Sequence, residues 1–167
     1  KGIALALGEQ GCKVYVTGRT TGDGERTIDT TARLVGEAGG EGHAIQVDHG
    51  DDEQIAALFE KVRADAGRLD ILVNNVYKIP DPPAWGGGFW DHPLQICDDQ
   101  AGIGLRSHYV PSSHSAPLLF EPGPGALIVN ASSPHGHSYH FSAAHCSCQS
   151  GLARLPPHIA APHEPER

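Results

Sequence analysis

Short β-branched runs alternate along the chain with longer segments of helical period. Residues 13–17, KVYVT, are β-branched and aromatic and are closed by Gly18, which predicts a short buried strand. HAIQV at 43–47 predicts a second strand, stopping at Asp48. LDILVNN at 69–75 is a continuous apolar run capped by two asparagines, the pattern of a parallel strand covered on both faces. GALIVNASS at 125–133 predicts a fourth strand with its polar residues at the carboxyl end.

Between the strands the period changes to that of helices. KGIALALGEQG at 1–11 places Ile3, Leu5 and Leu7 among good helix formers and ends at Gly11, where a helix terminus tolerates positive φ. A helix is expected from Thr27 to Ala38, stopped by Gly39 and Gly40. Ile55, Leu58, Phe59 and Val62 recur at i, i+3, i+4 and i+7 and share one helix face, with Asp51 and Asp52 at its positive end. Residues 93–119 have helical stretches, but Pro111 and Pro117 each remove a backbone donor and are expected to kink or stop them. A last helix is expected over 143–155. The proline-rich residues 156–167 are expected to be a disordered tail after one domain spanning 1–155.

Strands alternating with helices predict an α/β fold with a parallel sheet and right-handed crossovers. Ligands of such sheets sit beyond the carboxyl ends of the strands, where Arg19, Asp48, Asn74, Asn75 and Ser133 all fall.

Composition narrows the function classes. The 167 residues carry 12 Lys and Arg against 20 Asp and Glu, a net charge of −8, so nothing supplies the basic surface that nucleic acid requires. No apolar stretch approaches the length of a bilayer span and no secretory signal is visible; the expectation is a soluble, cytoplasmic protein. Cys12, Cys97, Cys146 and Cys148 are too few and too unevenly spaced for a disulfide framework. Glycine (21) and proline (13) are abundant, which predicts many loops, among them the Pro-, Gly- and Trp-rich stretch at 78–91.

Taken in order, GIALAL, KVYVTGR, VD (47–48), GRLDILVNNVY, FW (89–90), GLRSHY (104–109) and LIVNASSP (127–134) resemble the short-chain dehydrogenase/reductase family from residue 1 to about residue 155. The resemblance implies a Rossmann-like, doubly wound parallel sheet, a nicotinamide cofactor, and hydride transfer to or from a carbonyl or hydroxyl carbon of a small molecule. Arg19 follows the strand beside the adenosine ribose, where a guanidinium favours NADP over NAD, and Asp48 and His49 would flank the adenine. Asn74 and Asn75 match the family's Asn-Asn-Ala-Gly motif, with Val76 and Tyr77 in place of its last two residues. Ser133 matches the serine that hydrogen-bonds the substrate oxygen. Taken alone, Asp48 reads as a cap, the asparagines as turn residues and Ser133 as a turn hydroxyl.

Departures from the family pattern change the expectation for activity. The family's strand and glycine-rich phosphate loop would precede Lys1, and its later strands would follow the last residues, so the fold is expected to be truncated. The family's catalytic tyrosine and lysine fall at His145 and Gln149, and its helix asparagine at Ala101. His145 can donate a proton, whereas Gln149 has no charge with which to assist it. The expectation is an NADP-type reductase that is impaired or inactive, possible as a homo-oligomer. Two other readings stay open. His135, His137, His140, His145, Cys146 and Cys148 lie within one short stretch and suit a soft metal, although no recognised ligand spacing is present and the expected metal is none. An unpaired sheet edge could instead make the chain a non-catalytic interaction fragment.

Overall fold

A computed structural model describes residues 1–81, 87–123, 125–140 and 142–160. They fall into two compact units, Lys1–Leu58 and Phe59–Arg167.

In the first unit, β1 (Lys13–Gly18) pairs in parallel with β2 (Glu41–Gln46), in the register Lys13↔Glu41 to Gly18↔Gln46. Helices α1 (Gly2–Glu9) and α2 (Ile28–Glu37) pack with this pair. Thr27 caps α2 by accepting the Thr30 amide at 3.2 Å, and Ile28, Ala32 and Val35 form its buried stripe. The helix lies so close to β2 that a β-carbon at Gly42 would overlap the carbonyl of Ala32, so glycine is required there for steric reasons.

Helix α3 (Asp52–Ala66) carries the expected face: Ile55, Leu58, Phe59 and Val62 are all buried. In the second unit β3 (Ile71–Asn74) pairs in parallel with β4 (Leu127–Asn130), Ile71 opposite Leu127 and Asn74 opposite Asn130. The ladder is prolonged by Leu127 N–H to Asp70 O at 2.9 Å and Ala131 N–H to Asn74 O at 2.8 Å.

Three expectations change here. The strands are parallel, but they are not covered on both faces: no residue of β1 is fully buried, and in β3 only Asn74 is. Each strand has one neighbour among the described residues, so a continuous apolar run does not by itself bring two covering layers. The prolines do not stop the long helical segment. It runs as α4 (Leu94–Asp99), a π-helical stretch (Gln100–Arg106) and α5 (Ser107–Phe120), with Pro111 and Pro117 inside α5. The wider π turns directly precede the carbonyl of Ser107, against which the ring of Pro111 would press in a regular α-helix.

Finally, α6 runs from Ala143 to Ile159, through Pro156 and Pro157, so the first residues of the expected disordered tail are helical. The prolines occupy its last turns, where the Ala160 amide still closes onto Pro156 O at 3.0 Å. Residues 161–167 of that tail, and 82–86 of the Pro/Gly/Trp loop, lie outside the described residues. Among the described residues no helix is long and apolar enough to cross a membrane.

Candidate active site

The second unit brings the three catalytic candidates together. Strand β4 ends at Asn130, and Ser133 follows as the N-cap of a short 3-10 turn, Pro134–Gly136. Helix α6 begins beyond it, capped by Ser142, whose hydroxyl accepts the His145 amide at 3.2 Å. This cap fixes where α6 starts, and His145 and Gln149, four apart, share one buried face of it with Leu152.

That face is pressed against the 3-10 turn. A β-carbon at Gly136 would come within 2.9 Å of Gln149 O, and Ser150 Oγ donates to Gly136 O at 2.7 Å. Gln149 is buried, and its Oε1 accepts both Ser132 Oγ at 2.9 Å and the Ser133 amide at 3.0 Å. The position expected to carry a cation therefore carries an acceptor that anchors the loop after β4. Ser133 Oγ is itself buried without a hydrogen-bond partner. An unpartnered buried hydroxyl costs on the order of 1–3 kcal/mol, so a ligand oxygen at this point would be stabilised.

Both ring nitrogens of His145 are engaged: Nδ1 with Gln100 Oε1 at 3.1 Å and Nε2 with His135 Nδ1 at 3.0 Å. Tyr77 meets the ring edge-on at a centroid distance of 6.1 Å. Burial holds the His145 imidazole below its ordinary pKa, and the neighbouring His135 adds to this. Burial also pushes the Cys148 thiol up, with Cys97 adding to it.

Gln100 is the residue that sequence reasoning missed at this site, and His135 stood out there only as one of several clustered histidines. By its spacing the family's helix asparagine falls at Ala101. The π stretch beginning at Gln100 takes extra residues per turn and so changes the phase, and the buried polar side chain that reaches His145 is Gln100.

Asn74 is buried and its Nδ2 lies 2.8 Å from Asn130 Oδ1, 3.0 Å from Ser112 Oγ and 3.2 Å from His108 O. It ties the ends of β3 and β4 to α5. Asn75 beside it is exposed. His108, also buried, donates from Nε2 to Val76 O at 3.2 Å, and burial depresses its pKa despite that bond.

In the first unit, Arg19 directly follows β1 and its side chain is 70% exposed. Its partner Asp48 is 3.9 Å away, the outer limit of an ion pair, which leaves the guanidinium able to exchange the carboxylate for a phosphate. Asp48 Oδ1 accepts the Gly50 amide at 2.9 Å, in keeping with a turn cap, and His49 Nε2 lies 2.9 Å from Thr17 Oγ1. Among the described residues no group of three or more His, Cys, Asp or Glu is placed to hold a metal ion. Cys146 Sγ instead lies 3.1 Å from both the amide and the carbonyl of His140.

Comparison with known proteins gives a consistent result. The family model described as enoyl-(acyl carrier protein) reductase matches residues 1–165. Dehydrogenase/reductase SDR family member 1 of Mus musculus is 36% identical over 158 residues, covering 93% of this chain and 49% of that protein. The Homo sapiens protein of that name is 37% identical over 145 residues, covering 85% of this chain and 45% of its own length. Acetoin dehydrogenase from Enterobacter cloacae superposes with a TM-score of 0.79 at 28% identity, over 94% of this chain and 60% of that one. A Serratia marcescens short-chain dehydrogenase/reductase mutant gives 0.79 at 25% identity, over 95% and 61%. The chain spans about half the length of the curated relatives it matches. The chain belongs to the short-chain dehydrogenase/reductase family, with an α/β fold that represents part of that family's Rossmann-type architecture.

Proposed function

We propose that this protein acts in NADP-dependent reduction of a small carbonyl compound, with low turnover. The observation that carries the proposal is the buried, unpartnered hydroxyl of Ser133, whose own backbone amide is held by Gln149. When bound, the nicotinamide supplies a hydride to the carbonyl carbon. Ser133 Oγ donates a hydrogen bond to the carbonyl oxygen and fixes its position. His145, in the position of the family's tyrosine, is the proton donor to that oxygen, which has to displace His135 from its Nε2. Gln149 holds the amide of Ser133, but it brings no positive charge to assist the donor or to hold a ribose.

Asn74 keeps the strand ends in register, with the exposed Asn75 beside it at the cofactor edge. Arg19, loosely paired with Asp48, is the side chain that fits a ribose 2′-phosphate and gives the preference for NADPH.

NADPH oxidation with a panel of aldehydes and ketones tests this. Slow, saturable turnover that exceeds turnover with NADH, disappears in Ser133→Ala and loses its cofactor preference in Arg19→Ala is the expected result. Equal turnover in Ser133→Ala and the unaltered protein would overturn it.

A further inference from the structure

The contact between His135 and His145 has a direction that the surrounding bonds determine. Gln100 Nε2 donates to Lys78 O at 3.0 Å, which turns Oε1 of that amide toward His145 Nδ1. An amide oxygen only accepts, so His145 carries its hydrogen on Nδ1. In the neutral ring Nε2 is then a lone pair, and His135 Nδ1, 3.0 Å away, is the donor to it. The bonds therefore run from His135 to His145, then to Gln100 and on to the Lys78 carbonyl.

The chain also runs from solvent inward. His140 is exposed and stacks on His135 with ring centroids 4.5 Å apart. His135 is half-buried, His145 is 6% exposed and Gln100 1%.

We propose that His135 and His145 share one added proton, which enters at His135 and is passed to the buried ring, making His135 the positioning residue that supplies the site's acid. The proposal rests on the reading of His145 as proton donor. A proton added at His135 Nε2 is matched by transfer of the Nδ1 proton to His145 Nε2. One N–H bond breaks at His135 and one forms at His145, and the electron pair left on His135 Nδ1 accepts the new N–H. The positive charge is shared by the two rings, on the inner one against the burial that lowers its pKa, and no redox partner is needed. A second proton is opposed, because two N–H groups would then face each other between the rings.

Other titratable and polar groups lie near the pair. On α6 itself Cys146 is bonded to the backbone of His140, and α4 contributes Cys97. The loop after β3 contributes Tyr77 and Lys78, whose ammonium is paired with Asp99 at 2.8 Å. Gln149 is uncharged, and its Oε1 accepts from Ser132 and Ser133.

The test is a long-range proton–nitrogen NMR titration of histidine-labelled protein from about pH 8 to about pH 5, without cofactor or substrate. The expected result is His145 in the Nδ1–H tautomer at the alkaline end, with both rings moving at one common midpoint and taking up one proton between them. In His135→Asn, His145 should titrate alone with its midpoint moved upward, because the neighbouring ring that lowers it is gone. His145 keeping its neutral pattern to the acid end while His135 charges alone, or His145 found with hydrogen on Nε2 at the alkaline end, would overturn the proposal. The unaltered protein decides it if the variant does not fold. Failure of carbonyl reduction with the shared proton present would count against the functional reading and leave this inference standing.

Discussion

The side-chain oxygen of Gln149 accepts the backbone amide of Ser133 at 3.0 Å, so the residue in the lysine position holds the loop that carries Ser133. It accepts Ser132 Oγ as well. Replacing it by leucine leaves both donors without that acceptor. Gln149→Leu should lower stability by about 2–3 kcal/mol in urea denaturation, while Gln149→Glu, which keeps an acceptor, should lose less. Equal losses in the two variants would show that the hydrogen bonds contribute nothing.

Gly136 is the contact point between the 3-10 turn and α6. A β-carbon there would sit 2.9 Å from Gln149 O and 3.1 Å from Ser150 N, so turn or helix must shift. Gly136→Ala is expected to cost about 1–3 kcal/mol and to disturb the Ser133 and His135 resonances together. A spectrum changed only at Gly136 itself would contradict the packing described.

The network at the ends of β3 and β4 predicts a larger effect than a turn asparagine would give. Asn74 is 4% exposed, and its amide meets acceptors on β4 and α5. Asn74→Leu should destabilise by about 2–3 kcal/mol, whereas the same change at exposed Asn75 should cost well under 1 kcal/mol. Thermal or urea unfolding of the two variants distinguishes them.

These sites also show what the sequence could reveal. The periodic face of α3 and the parallel strands were legible because burial periodicity survives in the residues themselves. Family spacing pointed to Ser133, His145 and Gln149, and of these the structure joins the Ser133 amide directly to Gln149. The continuity of the helix through Pro111 was not legible, since it depends on the π turns that precede it. Gln100 escaped for the same reason, as a change of helical phase leaves no mark in composition. His135 was visible only as one of several clustered histidines. Its role follows from the direction of the Gln100 amide, which is set by the carbonyl of Lys78.

Acid should destabilise the fold through buried imidazoles. Burial lowers the pKa of both His108 and His145, so the folded state resists protons that the unfolded chain binds near the reference value of about 6.5. The unfolded state then binds more protons, and stability rises with pH through this window. The contribution is fully present above the unfolded value and is lost as pH falls from there toward the depressed folded values. Denaturation midpoints should therefore drop between about pH 7 and about pH 5, and His108→Gln should reduce the slope. A flat profile would contradict the burial of these rings.

The central claim is that this family member keeps the oxygen-positioning serine but lacks the charged assistance its proton donor needs. The direct measurement is NADPH-dependent carbonyl reduction per folded molecule in the double variant His145→Tyr, Gln149→Lys. The rate should rise by about 10²-fold or more over the unaltered protein and vanish when Ser133→Ala is added. A double variant no faster than the unaltered protein, or one indifferent to Ser133→Ala, would contradict the account.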